Sequence, residues 1–149
     1  MKRRWILLLP LLLLGGCNGD DESRATGAQA SPRFDARQVA LGQRVFAHSC
    51  ARCHGANAEG APHWRRPDVT GNYPPPPLNG SGHARHHPLS MLRHVIRNGS
   101  PGGGNMPAWG GRLSEREIDA VIVWFQSRWP DEVYSAWREI DQRAHQASQ

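Results

Sequence analysis

Five consecutive residues, Cys50-Ala51-Arg52-Cys53-His54, constrain this chain more than any other feature. The spacing C-x-x-C-H is the pattern of covalent haem attachment. Two thiols three positions apart near a helix end can each bond to one vinyl group of a haem, and the next residue is then held under the iron. We therefore predict one covalently bound haem c, attached through Cys50 and Cys53, with His54 as an axial ligand.

Three other functions of this motif fit the rest of the sequence less well. A thioredoxin-like C-x-x-C needs a βαβ setting, and no strand pattern precedes Cys50. A zinc site needs a second Cys or His pair at suitable spacing, and the candidates, His83, His86 and His87, lie well downstream. A disulfide between the two motif cysteines would leave the motif histidine without a role.

The N-terminus has the form of a bacterial lipoprotein signal. Residues 2–4 are basic, residues 5–14 form an apolar segment, and small residues precede Cys17. The apolar segment is too short to cross a bilayer, for which about 20 apolar residues are needed. We predict that residues 1–16 are removed and that Cys17 is acylated. The alternative is an ordinary secretory signal that leaves Cys17 as a free thiol. Both interpretations indicate the bacterial periplasm or cell envelope.

The composition changes sharply along the chain. Residues 18–32 are polar and rich in Gly, Ala, Ser and Asp, without hydrophobic periodicity, which is typical of a flexible tether. We therefore divide the chain into a signal segment (1–16), a tether that starts at the lipidated cysteine (17–33) and a folded domain with a C-terminal helical extension (34–149).

The charge balance gives no support to nucleic-acid binding. The chain has 18 Lys and Arg residues against 13 Asp and Glu residues, a formal charge of +5. Residues 1–16 hold three of the basic residues and none of the acidic ones, so 15 remain against 13 and residues 17–149 carry +2. No basic segment interleaved with aromatic residues remains. The predicted partners are proteins and a membrane, and not nucleic acid.

The folded domain is predicted to be all-α, with about four helices and no strand pattern. Asp35 and Gln38 resemble a capping box, and an apolar stripe follows as far as Ser49. Ser114 and Glu117 form a second capping box. The predicted helices cover approximately residues 35–49, 88–98, 114–129 and 131–144.

The segment between the first two helices is loop-rich. Four consecutive prolines at residues 74–77 favour a stiff polyproline II strap, and the alternative is a PxxP ligand for a partner domain. His83, His86 and His87 follow. We predict that one or two of them hydrogen-bond a propionate, a carbonyl or water near the haem. A copper site, or a histidine axial ligand in place of methionine, is the alternative.

Met106 is the predicted second axial ligand. It lies in the glycine-rich loop Gly103-Gly104-Asn105-Met106-Pro107, before the last capped helix. A thioether in such a loop can lie against the second haem face, and Met/His ligation raises the reduction potential relative to two imidazoles. Met91 adjoins an apolar stripe near the start of a helix, so we interpret it as core filler.

Several short motifs occur in an order that is typical of one family. They are Phe46, Cys50-x-x-Cys53-His54-Gly55, Asn105-Met106-Pro107, Leu113-Ser114, Glu117-Ile118 and Ala120-Val121. Over residues 34–129 the chain thereby resembles the class I cytochromes c. The resemblance implies a cytochrome c fold wrapped around one haem, with the first and last family helices crossing near Gly42, Phe46 and Trp124.

The resemblance and the proposed ligands together predict a one-electron carrier rather than an enzyme, tethered to a membrane by its lipid. The expected partners are a quinol-oxidising complex and a terminal oxidase, or a periplasmic reductase or dehydrogenase. Two alternatives stay open. One is an open-site haem protein that binds peroxide or a diatomic gas because Met106 is not a ligand, and the other is a copper-binding module built on the loop histidines.

Overall fold

The chain folds into five α-helices and one 3-10 helix within residues 33–101 and 105–149, the ranges that the computed structural model describes. In chain order the elements are α1 (Ala36–Ser49), α2 (Ala51–His54), the 3-10 helix (His83–His86), α3 (Leu89–Asn98), α4 (Glu115–Gln126) and α5 (Asp131–Ala147). These ranges contain no β-strand, so the predicted all-α fold is confirmed. The count exceeds the predicted one by α2, because a single turn carries no hydrophobic periodicity.

Four predicted features lie outside the described ranges. They are the signal segment 1–16, the lipidated Cys17, the tether as far as residue 32, and the glycines at 103 and 104. Within the part of the chain that is described, no helix is both long enough and apolar enough to cross a membrane. The export signal and the lipid anchor therefore stay predictions.

The centre of the fold is the crossing of α1 and α4. A Cβ atom at Gly42 would overlap the carbonyl of Ala120 and lie 2.7 Å from the Cβ of Trp124, so the two helix backbones touch at this point. Phe46 and Trp124 are buried beside it, with ring centroids 4.2 Å apart. The predicted crossing is confirmed. Its close packing compensates for a glycine that costs about 1 kcal/mol relative to alanine inside a helix.

The two predicted capping boxes differ in completeness. Ser114 accepts a hydrogen bond from the N–H of Glu117, and the Glu117 carboxylate accepts one from the N–H of Ser114, so the box at α4 is complete. At α1 the Asp35 carboxylate accepts from the N–H of Gln38 at 2.9 Å, which supplies the first of the two bonds. Both residues begin their helices as predicted.

The other helix ends depart from the predictions by a few residues. α3 ends at Asn98 as predicted, with Gly99 as its C-cap, but Pro88 precedes its first residue instead of being that residue. α4 ends at Gln126, before the predicted stop at Trp129, because the last residues form tighter turns. α5 continues to Ala147, beyond the predicted end, since no glycine or proline interrupts it.

Most predicted apolar stripes are buried. On α4 the buried side chains include Ile118, Val121, Ile122, Trp124 and Phe125. Leu92 of α3 and Trp137 of α5 join the same core cluster. The interpretation of Met91 as core filler is wrong, because its side chain is 41% exposed. It neighbours the stripe of α3 in sequence but lies on the helix face that points away from the core.

Candidate haem site

The C-x-x-C-H motif forms one helical turn directly after α1. Cys50 ends α1, and its N–H donates to the carbonyl of Phe46 at 2.9 Å. The Cys50 carbonyl then accepts from the N–H groups of Cys53 and His54, at 3.0 and 2.9 Å. The turn therefore holds two thiols and an imidazole on a rigid extension of α1. Cys53 is exposed, Cys50 is half-buried and His54 is buried.

The imidazole of His54 is fixed in one tautomer. Its Nδ1 lies 2.9 Å from the carbonyl oxygen of Pro76. A carbonyl can only accept, so Nδ1 carries the proton and the lone pair is on Nε2. Burial lowers the pKa of His54, and the hydrogen bond to Pro76 opposes this more weakly. The result is a neutral imidazole whose Nε2 is the nitrogen that can bind a metal.

The proline strap, residues 74–77, supplies the carbonyl that orients this ring. It is held beside the motif turn because the N–H of Ala61 donates to the Pro75 carbonyl and the N–H of Leu78 donates to the Ala58 carbonyl, both at 2.8 Å. A polyproline II segment makes no internal hydrogen bonds, so its carbonyls are free to accept from side chains. Sequence reasoning missed Pro76 as a site residue, although this property of the strap pointed to it.

The chemistry of the two thiols argues against a thioredoxin-like site. Burial, and to a smaller extent the neighbouring Cys53, raises the pKa of Cys50 to about 11, so this thiol is protonated at neutral pH. Redox-active cysteines have the opposite shift, to about 3.5–7.5. Cys50 and Cys53 are not joined to each other by a disulfide. Within residues 33–101 and 105–149, no group of three or more His, Cys, Asp and Glu side chains is arranged to hold a zinc or copper ion.

Met106 lies on a separate element from His54, between α3 and α4, and is half-buried. Its carbonyl accepts from the N–H of Ser100 at 3.1 Å. A little further on, the N–H of Trp109 donates to the carbonyl of Ile96 at 3.0 Å. Both bonds anchor the Met106 segment on the C-terminal end of α3. The role of Met106 as an iron ligand stays a prediction.

The loop histidines form part of a surface aromatic network. The His83 ring centroid lies 5.7 Å from that of Trp64 and 5.7 Å from that of His87. The Arg65 guanidinium lies 4.2 Å from the Trp64 ring centroid. Burial, and then the charges of His87 and His86, lower the pKa of His83. A hydrogen bond from these histidines to a haem group stays a prediction.

The residues present fit a covalently bound haem. The motif turn carries two thiols at attachment spacing, and the imidazole beside them has its Nδ1 proton fixed and its Nε2 free. A half-buried thioether, that of Met106, lies on another element between α3 and α4. The residues that would hold the haem are Cys50, Cys53, His54 and Met106.

This helical fold around a C-x-x-C-H turn is that of a class I cytochrome c. The chain belongs to the family described as cytochrome c oxidase, cbb3-type, subunit III, whose model matches residues 37–125. The predicted membership of the class I cytochromes c is confirmed. Membership implies covalently bound haem c.

Individual relatives support the same assignment. The chain is 36% identical over 96 residues to the cbb3-type cytochrome c oxidase subunit FixP of Bradyrhizobium sp. (strain ORS 278), which covers 64% of this chain and 29% of that protein. It is 36% identical over 89 residues to cytochrome c6 of Cladophora glomerata, which covers 58% of this chain and 85% of that protein. Subunit CcoP of Azospirillum sp. (strain B510) is 34% identical over 90 residues, 60% of this chain and 28% of CcoP.

The chain therefore spans less than a third of the oxidase subunits that it matches and most of cytochrome c6. No solved structure gave a significant match. What the comparisons establish is a domain of the cytochrome c family, related both to oxidase subunits and to a small cytochrome.

Proposed function

We propose that this protein is a monohaem c-type cytochrome that carries one electron at a time between protein partners. Cys50 and Cys53 hold the haem, and His54 and Met106 are the axial ligands. The observation that carries the proposal is the buried His54 imidazole, whose Nδ1 proton is fixed by the Pro76 carbonyl at 2.9 Å. Family membership and the single C-x-x-C-H motif in the 149 residues support one haem.

The protein's own residues have a positioning function in this proposal. A bound haem supplies a one-electron iron couple. The Pro76 carbonyl holds the proton on Nδ1 and thereby makes Nε2 of His54 the more basic nitrogen. Burial of Phe46 and His54 excludes water from the side of α1. Because the turn and the strap fix the imidazole before any electron arrives, little rearrangement accompanies a change of charge.

The optical spectrum of the holoprotein tests this function. We expect low-spin, six-coordinate ferric iron, with the near-infrared sulfur-to-iron band that thioether ligation produces. We also expect a haem that stays attached after denaturation. High-spin iron that binds carbon monoxide readily would instead indicate the open-site alternative, and a polypeptide mass without haem would contradict both.

We further propose that the protein works outside the cytoplasm, anchored to a bacterial membrane by a lipid on Cys17. The basic residues, short apolar segment and small residues before Cys17 support this. Mass spectrometry of the mature N-terminus checks it. We expect acylated Cys17 as the first residue in wild type and release of the haem protein from membranes in Cys17→Ser. A membrane-free wild type that begins elsewhere would contradict the anchor.

A membrane-bound terminal oxidase is the electron acceptor that we propose, and a quinol-oxidising complex is the proposed donor. The support comes from the oxidase subunits among the relatives. Reoxidation of the reduced holoprotein by purified cbb3-type oxidase, followed optically, tests the acceptor. Fast reoxidation that saturates with oxidase concentration is expected, whereas reoxidation no faster than by oxygen alone would exclude this partner.

A further inference from the structure

The residues after α4 lie beyond the family match, which covers residues 37–125, yet they belong to the core. Trp129 is 3% exposed and Trp137 is 5% exposed, and their ring centroids lie 5.9 Å apart. Arg33 is held to the same region by hydrogen bonds to the Asp131 carboxylate and to the Trp129 carbonyl. The C-terminal extension is therefore integrated into the fold and is not an appended tail.

Three side chains of this extension form hydrogen bonds to one segment, residues 78–89, which connects the proline strap to α3. The three bonds join Trp129 Nε1 to the Leu78 carbonyl at 2.7 Å, Trp137 Nε1 to the His87 carbonyl at 2.8 Å, and Asp141 Oδ1 to the N–H of Leu89 at 2.7 Å. We call Trp129, Trp137 and Asp141 the C-terminal brace. All three partners are backbone groups, so the brace fixes the path of the main chain.

A close contact at Gly80 adds to these bonds. Gly80 has a φ of +96°, and a Cβ atom there would lie 3.2 Å from Cδ1 of Trp129 and 3.3 Å from Cδ of Pro130. The Gly80 carbonyl also accepts from the Arg85 guanidinium at 3.0 Å. The indole of Trp129 therefore packs directly on the backbone of the connecting segment, close to where the strap ends.

The connecting segment lies between the supports of both predicted axial ligands. Its first residue comes shortly after Pro76, whose carbonyl orients the imidazole of His54. Its last residue, Leu89, begins α3, and the segment that contains Met106 is anchored on the far end of α3 by the bond from the Ser100 N–H. A shift of this segment would therefore be transmitted to both sides of the iron.

We propose that the C-terminal brace positions both axial ligands, acting on His54 through the proline strap and on Met106 through α3. This inference rests on the proposed function. Trp129, Trp137 and Asp141 are positioning residues, because they touch neither ligand. The groups that orient a metal ligand from outside its coordination sphere set its basicity and its geometry, so they affect affinity and potential without binding the metal.

Two variants of the holoprotein test the α3 part of the brace. Asp141→Ala removes the acceptor for the Leu89 N–H, whereas Asp141→Asn keeps an oxygen there. Added imidazole binds ferric iron after Met106 leaves, so its apparent affinity reports how easily the Met106 segment opens. We expect about a tenfold gain in imidazole affinity for Asp141→Ala, the worth of one hydrogen bond. Asp141→Asn should stay near wild type, as should the control Arg138→Gln on the exposed side of α5.

Trp129→Phe tests the strap part, because it removes the indole N–H and keeps an aromatic ring in the core. If the Pro76 carbonyl is held less firmly, its hydrogen bond to Nδ1 of His54 weakens and the imidazole becomes a weaker electron donor to iron. The midpoint potential should therefore rise relative to wild type and to Arg138→Gln. This variant also decides the matter if Asp141→Ala fails to fold.

Two results would contradict the proposal that the C-terminal brace positions the axial ligands. One is a Trp129→Phe protein with an unchanged potential. The other is an Asp141→Ala protein whose imidazole affinity equals that of Arg138→Gln while its unfolding free energy falls, which would show a merely structural role. Absence of the sulfur-to-iron band from the wild-type spectrum would instead refute the ligation of iron by Met106, which is part of the proposed function. The potential of Trp129→Phe, which reports on His54, would still test the brace in that case.

Discussion

The two sides of the proposed iron site are held in different ways. His54 lies on a helical turn that continues α1, and its ring is fixed by one hydrogen bond of 2.9 Å to Pro76. Met106 lies in an irregular segment between α3 and α4 and is linked to α3 by the bond from the Ser100 N–H at 3.1 Å. The histidine side is therefore determined by the turn that continues α1 and by the proline strap, and the methionine side depends on how α3 and α4 are placed.

The packing that supports His54 is also closer than the packing that supports Met106. α1 meets α4 through backbone contact and buried aromatic rings at Gly42 and Phe46. α3 contributes one buried side chain, Leu92, to the core and is also joined to α4 by ion pairs, with the Arg93 guanidinium donating to both carboxylate oxygens of Asp119 at 2.6 and 2.9 Å. Partly exposed ion pairs contribute at most about 1 kcal/mol and weaken with salt. The methionine side should therefore open first under mild perturbation.

Removal of both attachment thiols should have the largest effect on the histidine side. In Cys50→Ala/Cys53→Ala we expect no haem that survives denaturation, because no thioether bond can form. Haem staining of a denaturing gel and intact mass spectrometry measure this. Cys17→Ser is the matched control, since it also loses a cysteine but should keep covalent haem. Covalent haem in the double variant would contradict the assignment.

Gly42→Ala should disrupt the crossing of α1 and α4 that supports His54. Two physical effects predict opposite signs for the change in the free energy of unfolding. Helix propensity alone predicts a gain of about 1 kcal/mol. The added Cβ would overlap the Ala120 carbonyl, so we expect a net loss of about 1–3 kcal/mol instead. Denaturant unfolding of the holoprotein measures the difference. A Cβ at Gly111 would meet nothing within 4 Å, so Gly111→Ala should be close to neutral. A stabilised Gly42→Ala would refute the close crossing.

The features that were predictable from sequence share one property: residue types at short spacing encode them. The C-x-x-C-H turn, the capping box of Ser114 and the crossing at Gly42 all depend on side chains that differ visibly from their neighbours. Hydrophobic periodicity, together with the absence of a strand pattern, predicted the all-α class, and the resemblance to the class I cytochromes c implied how the helices are arranged around the haem. The resemblance also placed Trp124 at the crossing, and the structure adds the Ala120 carbonyl that Gly42 contacts.

The features that sequence reasoning missed depend on backbone acceptors. The four prolines indicated a strap with free carbonyls, but no residue type shows that the Pro76 carbonyl accepts from His54 Nδ1, or that the carbonyls of Leu78 and His87 accept from indole N–H groups. Every residue has a carbonyl, so a pattern cannot show which one is used. The exposure of Met91 was missed for a related reason, because a residue beside an apolar stripe can lie on either edge of it.

Met106→Ala should alter the methionine side and leave the attachment intact. We expect covalent haem, loss of the sulfur-to-iron band and a lower midpoint potential, because thioether ligation raises the potential. Absorption spectra and a potentiometric titration check this. Met91→Ala is the control, since Met91 is 41% exposed on α3 and should leave both quantities unchanged. A band that persists in Met106→Ala, or disappears in Met91→Ala, would assign the ligand elsewhere.

Substitution of a helix-cap residue should have the smallest effect. One such cap lies on the histidine side of the proposed iron site and one on the methionine side. Ser114→Ala removes the cap that ends the Met106 segment, and Asp35→Ala removes the cap of α1. Each should cost about 1 kcal/mol of unfolding free energy. Only Ser114→Ala should raise imidazole affinity for ferric iron, because only that cap borders the methionine side. Equal imidazole affinities in the two variants would mean that α4 is not part of the support of Met106.

The effect of Ser114→Ala on the free energy of unfolding should depend on pH, and the pKa of Glu117 gives the sign of this dependence. The hydrogen bonds to Ser114 lower the pKa of Glu117 below its usual value. A carboxylate with a depressed pKa in the folded state stabilises the fold above its unfolded pKa, and this contribution is lost as the pH falls through the folded pKa. Denaturant unfolding at a series of acidic pH values should therefore show a difference between wild type and Ser114→Ala that narrows as the pH falls. A constant difference would mean that the hydrogen bond from the Ser114 hydroxyl to the Glu117 carboxylate adds nothing to stability, because the backbone N–H of residue 114 donates to that carboxylate in both proteins.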